Sequence, residues 1–84
     1  MAKLGEYIYM GMATCNGHKV TIAVAYKPDY CVKKSLQFVE ASEGLVVFQK
    51  INKVRIGELE ACESYSLESL KKTYAHIFKD FNNG

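Results

Sequence analysis

Two runs of alternating residues, 6–15 and 18–27, meet at Asn16-Gly17, a dipeptide that readily takes the paired positive φ angles of a type I′ turn. The chain is thereby committed to a β-hairpin whose register can be written down from the turn outward. Pairing Cys15 with His18 sets Met12 opposite Thr21, Met10 opposite Ala23, Ile8 opposite Ala25 and Tyr7 opposite Tyr26. The two-residue period then separates a face of Tyr7, Tyr9, Gly11, Ala13, Val20, Ile22, Val24 and Tyr26 from one of Ile8, Met10, Met12, Thr21, Ala23 and Ala25. Both faces are largely apolar. A sheet covered on one side alternates apolar with polar, so this hairpin predicts cover on its second face as well.

With 84 residues, the chain suits a single domain, 1–84, and its 49% hydrophobic content argues against disorder. A chain this short buries a small fraction of its surface, which makes association with a partner or a second copy a natural source of stability. Lysine and arginine total 11 against 9 acidic residues, a net charge of +2 that is too weak a bias to imply phosphate binding. No apolar stretch approaches the roughly 20 residues that span a bilayer, and Met1-Ala2-Lys3-Leu4 lacks the apolar region of a signal peptide. The expectation is a soluble cytoplasmic protein with no membrane partner. Cys15, Cys31 and Cys62 cannot all pair within one chain, and they read as free thiols in a reducing compartment.

Beyond the hairpin, Pro28 ends the strand and Asp29 is placed to cap a helix over residues 30–41. At helical spacing Cys31, Val32, Leu36, Phe38 and Val39 gather opposite Lys33, Lys34, Gln37 and Glu40, whereas a strand over 35–41 would put Leu36 and Phe38 with Glu40. Gly44 supplies a positive φ to stop the helix. Residues 45–50 and 54–59 read as a second hairpin about Ile51-Asn52-Lys53, with Gly57 marking a bulge or a close backbone approach. Leu67, Leu70, Tyr74, Ile77, Phe78 and Phe81 form one apolar helical stripe, capped by Ser64 or Ser66 and ended by Asn82-Asn83-Gly84. The expected fold is α+β, a four-stranded antiparallel sheet from two hairpins with two helices in the order ββαββα, with ββββα as the alternative. A faint echo between residues 18–22 and 52–56 raises the question of internal duplication.

No constellation of residues points to catalysis. His76 falls on the polar side of the last helix, Glu58, Glu60 and Glu63 decorate a strand end and a loop, and the glycines are isolated and form no phosphate cradle. Cys15 and His18, paired across the turn, could join Cys31 and Cys62 in a zinc-type set, but the spacing is unlike that of a finger and a small thiol beside a loop histidine is the simpler reading. No metal, cofactor or catalytic residue is therefore expected. Tyr7, Tyr9, Tyr26 and Tyr30 among Lys3, Lys19, Lys27, Lys33 and Lys34 suggest stacking on single-stranded nucleic acid, yet three of these tyrosines share a face with Val20, Ile22 and Val24, as core residues would.

Met10 and Met12 lie beside Ala23 and Ala25 on one strand face, and flexible thioethers over small residues suit an adaptable protein contact. The leading expectation is a non-enzymatic protein-binding module using Ile8, Met10, Met12, Ala23 and Ala25, either a homodimer or an inhibitor or modulator of a larger protein. Small inhibitors from phages and mobile elements offer an analogy of form. The alternative is a nucleic-acid-binding module using the open sheet face.

Overall fold

A computed structural model describes residues 6–57 and 61–81. Four strands form one antiparallel sheet: β1 (Tyr7–Cys15), β2 (His18–Ala25), β3 (Val46–Arg55) and β4 (Ala61–Ser66), in the spatial order β2-β1-β3-β4. Helix α1 (Pro28–Ala41) separates the two pairs of strands, and α2 (Leu67–Thr73) and α3 (Ala75–Phe81) follow the last. The fold is the expected α+β sheet with helices, but the final apolar stripe is carried by two helices instead of one. Tyr74 leaves helical geometry at φ −117° and ψ 37°, although the stripe of Leu70, Ile77 and Phe78 still packs towards the core.

At the first turn Asn16 has φ 52° and Gly17 φ 81°, and Cys15 pairs with His18 as the dipeptide dictates. The written register holds as far as Met12 opposite Thr21. There a bulge intervenes: Gly11 pairs with Ala23, Met10 with Val24 and Tyr9 with Ala25, so Ile22 is the extra residue in β2. Beyond it the faces of β2 are exchanged. Ala23 and Ala25, expected beside the methionines, are buried with Cys31 and Val32 in the core, while Val24 and Tyr26 turn to the opposite side and are exposed.

The second hairpin also differs from expectation. Residues 51–53 are no turn but the middle of β3, because Ile51 is fully buried opposite Gly11 and its polar neighbours find partners in the sheet. Asn52 Oδ1 accepts a hydrogen bond of 2.8 Å from Ser64 Oγ, and the Lys53 ammonium lies 4.4 Å from the centre of the Tyr7 ring. The chain turns instead after Arg55, where Gly57 has φ 100°. The segments that echo one another now fall in β2 and mainly in β3, the second strand of one pair and the first of the other, so the topology gives duplication no support. Leu59, Glu58, Glu60 and Asn82-Asn83-Gly84 lie outside the described residues, as do Lys3 and the side chain of Cys62.

Helix α1 starts two residues earlier than expected, with Lys27 at the N-cap and Pro28 in the first turn, where a missing N–H costs nothing; Asp29 Oδ1 instead accepts from the Tyr30 N–H at 2.8 Å. The helix ends at Ala41 with Ser42 as its C-cap, and the first positive φ is taken by Glu43 (55°) and not by Gly44, which follows at φ 91°. The helix seats Cys31, Val32 and Ser35 on the sheet, all fully buried, while Phe38, expected on the buried side, is 48% exposed. Close approach is possible because the sheet beneath is made of Gly11, Ala13, Ala23 and Ala25. A Cβ built on Gly11 would lie 2.0 Å from Ser35 Oγ and 3.2 Å from Ser35 Cβ, so only glycine fits beneath that hydroxyl. Among the described residues the hydroxyl itself has no hydrogen-bond partner of good geometry.

Two consequences can be measured by thermal melting. Gly17→Val should lower stability by about 1 kcal/mol or more, since nothing lies within 4 Å of the site and the cost is that of forcing a β-branched residue to positive φ. Gly11→Ala should lower it by about 1–3 kcal/mol through overpacking, whereas Ser35→Ala should be neutral or stabilising by about 1 kcal/mol because it deletes an unpaired buried hydroxyl. The double variant should recover part of the Gly11→Ala loss, and strict additivity would mean that the two side chains do not meet.

Candidate functional site

The side of the sheet turned away from the helices is built from strand alternation and register. Across it run Lys19, Thr14 and Val47; then Thr21, Met12, Lys50 and Ser66; then Val24, Met10, Asn52 and Ser64; and finally Ile8 and Val54. Each of these positions alternates with a residue that points under α1 or α2, such as Gly11, Ala13, Phe48 or Ile51. Three of the five expected contact residues, Ile8, Met10 and Met12, therefore meet on one face, half-buried by their neighbours. Ala23 and Ala25 do not join them. Their places are taken by Val24 and Tyr26, exposed to 47% and 61%, which the bulge brings over from the other phase of the strand.

The resulting surface is apolar along its β1 column and carries hydroxyls and lysines at its margins. Thr21 Oγ1 donates to the Met12 sulfur at 3.6 Å. Near the end of β2, Ile8, Val24 and Tyr26 join Lys27, Tyr30 and Ile56 around a shallow cleft of about 660 Å³. Two of its rings, Tyr26 and Tyr30, are mostly exposed. Pliable thioethers thus lie at the centre of this surface and amphipathic tyrosines at its rim.

The features of other chemistries are dispersed. Tyr7 and Tyr9 lie on the helix side of the sheet, Tyr9 packed against the core and Tyr7 under the Lys53 ammonium, so among the described residues Tyr26 and Tyr30 are left together at the cleft, at one end of the face and not along it as successive base stacking would need. Lys33 and Lys34 belong to α1, and Lys34 lies 5.4 Å from the centre of the Tyr30 ring. Cys31 is fully buried and its thiol points to the Tyr9 carbonyl at 3.4 Å; Tyr9 is six residues along β1 from Cys15, roughly 20 Å away at the usual strand rise. Cys31 therefore cannot share a ligand with Cys15 and His18. No cluster of three or more potential metal ligands occurs among the described residues. His76 is exposed on α3, and no helix among the described residues is long and apolar enough to cross a membrane.

Burial pushes the Cys31 thiol up to about 11, only partly offset by the nearby Ser35 hydroxyl and the Lys34 charge, which makes it a protonated packing residue and a poor nucleophile. Tyr65 is likewise raised, to about 12, chiefly because its hydroxyl donates a 2.6 Å hydrogen bond to the Glu63 carboxylate. In the unfolded chain Cys31 ionises at its ordinary value of 9.0, so above that pH the unfolded state holds fewer protons than the folded one. The protein should accordingly lose stability as pH rises from 9 towards 11, and Cys31→Ala should make that slope shallower. Brief iodoacetamide treatment of the native protein at pH 8, read by mass spectrometry, should label the half-buried Cys15 and leave Cys31 untouched until denaturant is added.

Comparison of the chain with known protein families, with curated proteins and with solved structures finds no match in any of the three, so the site is interpreted from its own residues.

Proposed function

We propose that this chain is a non-enzymatic protein-binding module that docks through its open sheet face, either on a second copy of itself or on a larger protein whose activity it blocks or modulates. The observation that carries the reading is the apolar surface of Ile8, Met10, Met12, Val24 and Tyr26 on the side of the sheet opposite α1. A sheet with one solvated face ordinarily turns polar residues outward; this one does so on β4 and at Lys50 and Asn52 of β3, but Ile8, Met10 and Met12 of β1 and Val24 of β2 form an apolar run beside them. An apolar patch of this kind marks an interaction surface. The wide separation of Cys15 from the buried Cys31 supports a binding role over a thiol chemistry. Nucleic acid is the weaker alternative, since Tyr26 and Tyr30 with Lys27 gather at one end of the face while Lys19 and Lys50 lie apart, across β1 from one another.

Met10→Glu tests the reading, because Met10 sits between Val24 and Asn52 at the centre of the face and away from the helices. The variant should stay folded, losing no more than about 1 kcal/mol by thermal melting, while its association weakens at least tenfold, because an unpaired carboxylate at an interface must be desolvated. Sedimentation velocity of the variant beside the parent protein reads self-association, and binding to any captured target reads the rest. Unchanged association and unchanged target binding in a folded variant would remove the support for this face.

A further inference from the structure

At the opposite end of the molecule β3 is longer than its neighbour. β4 pairs with it only from Lys50 to Val54, so residues 46–49 have no strand on that side among the described residues, and of their backbone groups the Val46 N–H is already donated to Ser42 Oγ at 3.2 Å, which leaves residues 47–49 for a new partner's N–H and C=O groups to meet beside the Val46 carbonyl. The free edge opens into a groove of about 770 Å³, whose walls come from α1 (Leu36, Val39), from α2 and α3 (Leu67, Phe78) and from β3 itself. Val46 and Phe48 line the groove from the helix side of the sheet and Val47 from the open side, so the groove wraps around the strand edge. A strand edge beside an apolar trough is the geometry of strand addition, in which an extended segment pairs with the backbone and drops alternate side chains into the trough.

The charges decide what that segment is. Among the residues around the groove the ionisable side chains are Lys71 and Lys79, both exposed cations, with no carboxylate. A second copy of this chain laid edge to edge would bring these lysines towards their own counterparts, whereas an acidic segment would meet opposite charge. We infer that residues 46–49 of β3 and the adjoining groove receive an extended, acidic and apolar peptide segment of another protein, added as a fifth strand with its carboxylates towards Lys71 and Lys79. The bulge at Gln49, where β3 carries one residue more than β1, limits the new ladder to the four residues of 46–49. This site is separate from the methionine face, and its test does not depend on that reading.

The probe is a phage-displayed library of random dodecapeptides selected on the full chain, with the enriched sequences then synthesised. The expected result is enrichment of peptides that alternate acidic and apolar positions, with amide shifts on titration concentrated at residues 46–49 and in α2 and α3. The double variant Lys71→Glu, Lys79→Glu changes only exposed side chains; it should keep its melting temperature and weaken binding of those peptides at least tenfold, and selection on it should enrich basic peptides instead. Failure to enrich any peptide, enrichment without acidic residues, or shifts confined to Met10, Met12 and Val24 would each overturn the inference. A concentration-dependent dimer whose shifts map to residues 46–49 would overturn it in favour of self-pairing.

Discussion

The contact on which the rest of the structure depends is the seating of α1 on β1, with Ser35 directly over Gly11 and Cys31 against the Tyr9 carbonyl. A helix normally rides on a sheet at a distance set by branched side chains, but here Gly11, Ala13, Ala23 and Ala25 lower the floor beneath it. The close approach brings Val32 and Ile51 to complete burial with only a modest supply of large residues. Dispersion gains rise steeply at short separation, so a small chain recovers through proximity part of what it lacks in core volume. The unpaired Ser35 hydroxyl is the local cost of that arrangement.

Packing on one side also determines what is left on the other. Because α1 lies over β1, β2 and β3, α2 closes over β3 and β4, and α3 packs against α1 and α2, the helices are spent on a single face of the sheet. The break at Tyr74 falls between α2, which touches β3 and β4, and α3, which touches α1. Both candidate surfaces are remainders of this economy. The methionine column is the face that receives no helix, and the groove at residues 46–49 is the stretch of β3 that β4 does not reach.

Local signals were legible in the chain wherever backbone geometry or helical period decided the outcome. Asn16-Gly17 specifies its turn by φ alone, and the stripe from Leu67 to Phe81 survives even though the helix that carries it is broken. What escaped was governed by contacts distant in sequence. Asn52 and Lys53 look like turn residues until Ser64 and Tyr7 are seen to satisfy them, and the bulge at Ile22 has no mark in the sequence because both phases of β2 are apolar. Two missed residues did leave a signal: Ser35 stands one helical turn after Cys31 within the apolar stripe, and Gly11 interrupts a strand whose other residues are mostly larger. Together they announce a close helix–sheet approach. Of the contact face, the β1 column was readable and the β2 column was not, for the same reason of phase.

That ambiguity of phase has a consequence for how the fold keeps its identity. In most half-covered sheets a one-residue slip is penalised by polarity, because it drives charged residues inside. Beyond Ile22, a slip of β2 would exchange Ala23 and Ala25 for Val24 and Tyr26, and no charge would be buried by it. The register is guarded by bulk alone: a tyrosine cannot occupy the space that an alanine leaves beneath α1. The hairpin is proofread by the helix that lands on it, so that until α1 docks, β2 is a strand with two equally plausible insides.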